Sequence, residues 1–327
     1  MTESPLTSAA QDADALGAAQ PTREVTEPAP RTHPMRDSVV DTRTAAQIPS
    51  TPQTRAPSYR LAFIDDAFLL REDLRPVRLQ LELLKPQLML DEAGVETTIV
   101  LFGGARIPDA ANAHKATTPM LASLSRFYEE ARRFAQLATE ASLAETRGRR
   151  GVIATGGGPG VMEAGNRGAQ EAGGRSVGLN IVLPHEQAPN AYVTPDLCFN
   201  FHYFAIRKMH FLMRAEAVCV FPGGFGTLDE MFEALTLIQT GRMAKVPFLL
   251  FGRAYWEEVI NWPKLAESGT ISPEDLDLFR YVETAEEALE AIRTWSDKGQ
   301  RREEIPGRVV PNGAPAPGQP DQPADGS

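Results

Sequence analysis

Cysteine is scarce in this chain: 327 residues hold two, Cys198 and Cys219. Both stand in apolar, strand-like runs, so they are expected as reduced core thiols of a cytoplasmic protein, not as a disulfide or a metal pair. No run is long and apolar enough to span a bilayer. A positively charged start followed by an apolar stretch is also missing, and the mixed acids near the N-terminus do not suit an organelle transit peptide. Nor is there an excess of cationic charge. The formal net charge is −10, which gives no reason to expect DNA or RNA as a partner, although local cations can still hold a mononucleotide.

Several catalytic signatures are absent too. No Gly-Lys step is followed by Ser or Thr, which removes the phosphate loop of nucleoside triphosphatases. The dinucleotide fingerprint fails on spacing: counted from Gly156 its last position is Val161, and counted from Gly158 it is Glu163. There is no Gly-x-Ser-x-Gly elbow to anchor an acyl-transfer triad. No lysine stands with the supporting residues of a pyridoxal phosphate site. His202 and His210 lack Cys, His or carboxylate partners at ligand spacing, so no metal and no cofactor is expected.

What is present divides by composition. Residues 1–57 are rich in Ala, Thr, Pro, Ser, Asp and Glu with few large apolar residues. Such a segment buries too little surface to offset its ordering entropy and is expected to be disordered. The Pro- and Gly-rich stretch 301–327 receives the same reading. Residues 58–96 carry a leucine-rich helical extension, with Pro76 suited to a first helical turn and Pro86 expected to kink or break a helix. The extension is expected to pack on the main domain or on another subunit. Residues 58–300 hold roughly 240 residues, enough for that extension and, at 97–300, one α/β domain with a full core.

Within that domain short β-branched runs alternate with amphipathic stretches. Strands are expected at 97–101, 152–155, 176–183, 197–203, 217–221, 246–251 and 279–282. The helical stretch 119–144 has apolar positions at Leu121, Leu124, Phe127, Ala131, Phe134 and Leu137. This alternation implies a Rossmann-like, doubly wound parallel sheet with helices on both faces. Three of the strands run into glycine-rich turns, at 103–104, 156–160 and 223–226. Ligands of open parallel sheets bind outside the carboxyl ends of the strands, so the three turns are expected to line one pocket.

The most informative turn is Pro222-Gly223-Gly224-Phe225-Gly226-Thr227-Leu228-Asp229-Glu230. Bare backbone N–H groups there, with a helix starting near Thr227, form an anion site. Thr227 and Glu230 also fit a capping box, in which each side chain satisfies the other's backbone N–H; on spacing alone that reading is favoured for Glu230. Upstream, Arg207 and Lys208 point about 100° apart on a helix. They read either as a solvated basic pair or as a clamp, with the Arg207 fork holding a phosphate or ribose.

Taken together, these residues resemble the Lonely Guy (LOG) family. Residues 222–230 match its PGGxGTxxE motif, and Arg207-Lys208 stands where that family has its Arg-Lys pair. Thr155-Gly156-Gly157-Gly158-Pro159-Gly160-Val161-Met162-Glu163 is similar to its first glycine loop. The resemblance spans roughly Thr97 to Trp295. Family members have often been labelled lysine decarboxylases, but the resemblance implies a phosphoribohydrolase that cuts a nucleoside 5′-monophosphate into free base and ribose 5-phosphate. Plant-type members act on cytokinin riboside monophosphates and bacterial relatives also on AMP. By position, Arg207 and Glu230 would be the catalytic pair. Gly223, Gly224, Gly226 and Thr227 would hold the 5′-phosphate, with Gly157, Gly158, Gly160 and Lys208 completing the substrate site. Glu186 would match a family glutamate near the base. The family usually has a small residue after Arg-Lys, where this chain has Met209, a departure that bears on the choice of base. The resemblance further implies a homodimer or higher homo-oligomer. A module that binds or senses nucleotide without cleaving it is the alternative, separated from the enzyme by binding without turnover. A scaffold reading accounts for the two ends but not for the glycine turns.

Overall fold

The computed structural model describes residues 37–184 and 188–298. The expectations placed on residues 1–36, on 301–327 and on Glu186 therefore lie outside the described residues. The chain falls into two compact units, one ending at Leu70 and the other starting at Arg71. The first holds helix α1 (Ser38–Ala46) and the single turn α2 (Asp66–Leu69). Helix α1 lies inside the stretch expected to lack structure, and the Asp37 carboxylate caps it by accepting from the Val39 amide at 2.7 Å.

The second unit opens with α3 (Arg75–Glu92), followed by β1 (Thr98–Phe102), α4 (Pro119–Ser123), α5 (Arg126–Thr146), β2 (Val152–Thr155), α6 (Val161–Glu171), β3 (Ser176–Ile181) and β4 (Cys198–Phe201). It continues through α7 (Phe204–Met213), β5 (Ala215–Val220), α8 (Phe225–Gln239), β6 (Phe248–Phe251), α9 (Arg253–Val259), α10 (Trp262–Glu267), β7 (Arg280–Val282) and α11 (Ala285–Lys298). All seven strands are parallel, in the order β4-β3-β2-β1-β5-β6-β7. The chain winds outward from β1 to β4, then returns to place β5 on the other side of β1. The β1/β5 border is thus the point where strand order reverses.

Alternating strand residues feed two cores. Val100, Phe102, Val218 and Val220 pack with Leu90 of α3, Phe211 of α7 and Met231 of α8. Ile99, Leu101, Ala217 and Cys219 pack on the opposite face with Phe134 of α5, Ala164 of α6 and Ala288 of α11. Burial of both faces explains why β1 and β5 read as continuous apolar runs. Among the described residues no helix is long and apolar enough to cross a membrane.

Two helical expectations are corrected. The stretch 119–144 is two helices, broken at Leu124 and Ser125. Pro86, expected to kink or end a helix, lies buried inside the single helix α3. A proline at 86 removes the N–H that would reach the carbonyl four residues back, at Glu82. His210 Nε2 lies 3.2 Å from that carbonyl oxygen, and as the Nε2–H tautomer it supplies the missing donor. Burial pushes the His210 imidazole below its ordinary value, against the bond to the Glu82 carbonyl, which favours the charged ring. The Glu82 carboxylate meanwhile accepts from the amides of His202 and Tyr203 at 2.8 and 3.1 Å, at the start of α7. The leucine-rich extension therefore fixes the helix that carries Arg207.

Candidate active site

Helix α7 begins where β4 ends, and Arg207 falls one turn inside it, facing the sheet. Its Nε donates to the Leu179 carbonyl within β3 at 2.7 Å, and its guanidinium lies 4.9 Å from the centre of the Phe211 ring. Its Nη1 donates to Glu230 Oε1 at 3.0 Å. The side chains of this pair are only 10% and 15% exposed. The solvated-pair reading thus fails for Arg207, which is held from three sides.

Glu230 is free to meet Arg207 because α8 starts earlier than its sequence suggests. The helix begins at Phe225 with Gly224 at its cap, and no side chain caps it. Thr227 is then inside the first turn and Glu230 nearly a turn further on, so the capping-box reading is corrected. Burial pushes the Glu230 carboxyl up to about 7, against the Arg207 guanidinium, which favours the ionised form. A carboxyl poised near neutrality can take or give a proton at physiological pH.

Lys208 goes elsewhere. Its Nζ lies 2.8 Å from Asp229 Oδ2 and 2.8 Å from Glu233 Oε2, strapping α7 to the outer side of α8. Its ammonium is engaged by helix carboxylates, not by the glycine turn. Met209, the residue that departs from the family's small one, is 47% exposed.

The turn between β5 and α8 has open space where a ligand would sit. A Cβ added at Gly223 would come within 2.2 Å of Thr227 Oγ1, so this glycine is required by packing. Added at Gly224 or Gly226, a Cβ would meet nothing within 4 Å. Neither has a positive φ. Crowding and backbone strain thus give no reason for glycine at 224 and 226, at the amino end of a helix where backbone N–H groups gather. The Tyr255 hydroxyl donates to the Gly223 carbonyl at 2.7 Å, and the Gly104 amide donates to the Pro222 carbonyl at 2.9 Å, which holds the turn and joins it to the turn after β1.

The turn after β2 reaches the same place from the other side. A Cβ at Gly156 would lie 2.6 Å from Arg207 Nη2, one at Gly157 would strike Asn180 Oδ1 at 2.2 Å, and one at Gly160 would meet the Gly104 carbonyl at 2.3 Å. The three expected glycine turns are therefore gathered at one edge. Beside them lies a cavity of about 890 Å³ lined by Arg106, Gly157, Gly158, Glu163, Asn180 and Asn190, among others. The Arg207–Glu230 pair and the turn at 223–227 are not among its lining residues, so the cavity adjoins the pair across the Gly156–Gly157 turn. Buried amides support that turn. The Thr155 hydroxyl donates to Asn166 Oδ1 at 2.7 Å and accepts from the Gly157 amide at 3.0 Å. Asn190 binds the turn from outside. Asn166, Asn180, Asn190 and Tyr255 were not legible as site residues: Pro189-Asn190 signals only a loop, and the others sit in ordinary helix or strand positions.

Residues 162–292 match the family model described as possible lysine decarboxylase. Among curated relatives, the cytokinin riboside 5′-monophosphate phosphoribohydrolase LOG3 of Arabidopsis thaliana is 29% identical over 96 residues, 29% of this chain and 45% of that protein. LOG7 of the same plant is 30% identical over 105 residues, 32% of this chain and 47% of that protein. The chain thus spans about half the length of these curated relatives. A solved structure of the Moco carrier protein from Chlamydomonas reinhardtii superposes with a TM-score of 0.41 at 19% identity, over 62% of this chain and 99% of that one. The molybdenum cofactor binding protein from Rippkaea orientalis gives 0.40 at 19% identity, over 61% of this chain and 96% of that one. The likeness to the LOG family drawn from the motifs is borne out by the family model and the curated relatives.

Proposed function

We propose that this relative of the LOG phosphoribohydrolases hydrolyses the N-glycosidic bond of a nucleoside 5′-monophosphate, releasing the free base and ribose 5-phosphate. AMP and cytokinin riboside monophosphates are the candidate substrates. One observation carries the reading: a buried Arg207–Glu230 pair at 3.0 Å joins α7 to α8, with Glu230 behind an amino end whose Gly224 and Gly226 leave open space. In this reading the 5′-phosphate lies on the amides of Gly223, Gly224, Gly226 and Thr227, favoured by the helix dipole. Gly157, Gly158 and Gly160 form the facing wall, and the base extends toward the adjoining cavity. Lys208 acts here by strapping α7 to α8.

Cleaving the bond develops oxocarbenium character on the ribose. The Glu230 carboxylate stabilises that cation and deprotonates or orients the attacking water. Arg207 orients Glu230 and the ribose, and the phosphate supplies binding energy remote from the reacting bond. Among the described residues no cluster of His, Cys, Asp or Glu is arranged to hold a metal ion, and no step of this scheme is routed through one. A homo-oligomer and a cytoplasmic location belong to the same reading. The first is supported by an apolar ridge on α3, where Val77, Leu81, Leu84 and Leu88 are exposed at spacings that place them on one side of the helix.

The test is to incubate the purified chain with AMP and with N6-isopentenyl-AMP and to follow free base by chromatography. Free base from either supports the proposal. A folded protein that releases none overturns it, and binding by calorimetry without turnover replaces it with a nucleotide-sensing role.

A further inference from the structure

Asn190 lies in the loop between β3 and β4, outside the motifs that carry the family likeness. Its Nδ2 is 3.0 Å from the Gly157 carbonyl, 3.0 Å from the Gly158 carbonyl and 2.9 Å from Asn166 Oδ1. Its own backbone amide donates to the Gly157 carbonyl at 2.8 Å, and its Oδ1 accepts from the Tyr192 amide at 3.1 Å. One side chain thus faces two successive carbonyls of the glycine turn and is itself anchored to α6 through Asn166. Asn166 in turn donates to the Ser176 hydroxyl at 3.0 Å, and both are buried.

The peptide geometry gives this clasp a consequence. In a trans peptide the carbonyl and the following N–H point in opposite directions. Fixing the Gly157 carbonyl outward, onto Asn190, aims the Gly158 N–H the other way. The next peptide has no N–H of its own, because residue 159 is proline. Its carbonyl, that of Gly158, finds its donor in Asn190. Gly157 holds a φ of +73°, a conformation that a glycine leaves readily unless it is pinned. Gly157, Gly158 and Asn190 all line the cavity of about 890 Å³.

We propose that Asn190 is a positioning residue: by clasping the Gly157 and Gly158 carbonyls it presets the Gly158 N–H as a donor to the nucleotide. This rests on the functional reading above and adds to it a residue that reaches the ligand only through the backbone. The discriminating substitution is Asn190→Asp, which keeps the shape but replaces the donating amide with a carboxylate that repels both carbonyls. Asn190→Ala is the second variant, in case the carboxylate prevents folding.

AMP is titrated into wild type and both variants by calorimetry, with thermal unfolding in parallel. Amide exchange of the 156–161 segment is followed with and without AMP. The expected result is a Kd for AMP raised about tenfold in a folded variant, the size of one hydrogen bond to a charged ligand weakened. AMP should also protect the 156–161 amides in wild type but not in the variants. Wherever turnover is measurable, KM should rise more than kcat falls. A folded variant with an unchanged Kd and unchanged AMP protection overturns the proposal, whatever its melting temperature, since a purely structural asparagine would lower only the latter. If wild type itself fails to bind AMP, the functional reading falls and this one falls with it. Wild type that binds AMP without cleaving it leaves the Kd and exchange arms fully decisive.

Discussion

The glycine turns after β2 and after β5 are built on different principles. The turn after β2 is held by side chains: Thr155 and Asn190 hydrogen-bond its backbone, Asn166 anchors both of them, and two of its glycines, Gly157 and Gly160, have positive φ and lie against neighbouring atoms. The turn after β5 contains no positive-φ glycine, and two of its three glycines face open space. In the first, glycine answers the needs of the fold. In the second, Gly224 and Gly226 answer no need that the protein itself displays, which is the mark of a surface shaped for something that is not protein. On the proposed reading, the same residue type serves as scaffold on one side of the site and would meet the ligand on the other.

That contrast breaks or holds most clearly at Gly157. Gly157→Ala places a Cβ against Asn180 in a left-handed conformation, so it is expected to destabilise the fold by at least about 2 kcal/mol, read by denaturant unfolding. Gly226→Ala should do the opposite. Its helical position and open surroundings predict a stability unchanged or raised by about 0.5–1 kcal/mol, while AMP affinity falls about tenfold as the methyl enters the phosphate space. If Gly157→Ala is tolerated, or if Gly226→Ala binds AMP as wild type does, the division between the two turns is wrong. A smaller effect is expected far from both. Replacing Leu81 and Leu88 on the exposed ridge of α3 with Glu should leave monomer stability within about 0.5 kcal/mol but lower the mass seen by light scattering. An unchanged mass would remove that ridge from self-association.

Where the sequence was legible, the reason was local. Val152–Thr155 is a strand by β-branching and by the glycines that follow it, and the alternation of such runs with amphipathic stretches was enough for a doubly wound sheet with its glycine turns on one edge. What was not legible depended on partners far along the chain. Pro86 sits inside a helix because a histidine 124 positions later supplies a donor to Glu82. The Thr227/Glu230 spacing imitates a cap that does not form, and Glu230 is taken instead by Arg207, twenty-three residues earlier. Lys208 is adjacent to Arg207 yet ends on Asp229 and Glu233, since neighbours on a helix point apart and only one can face the sheet. Asn190 carries no local signal at all, because its role appears only when a loop is laid against a turn more than thirty residues earlier.

The central claim is that Glu230 is the working carboxylate, and its displaced ionisation offers the most direct measurement: the pH dependence of AMP hydrolysis, in wild type and in Glu230→Gln. Burial raises the carboxyl from 4.5 to about 7. Two signs follow. Stability contributed by this group is greatest below the ordinary carboxyl value and is lost as pH rises through about 7, because the folded state holds the proton more tightly than the unfolded one. Activity that needs the carboxylate runs the other way, rising with pH along a limb centred near 7. Wild type should show that limb, Glu230→Gln should turn over about 10²–10⁴-fold more slowly, and the variant should bind AMP about as tightly as wild type. Full activity in Glu230→Gln, or the same limb surviving in it, would contradict the assignment.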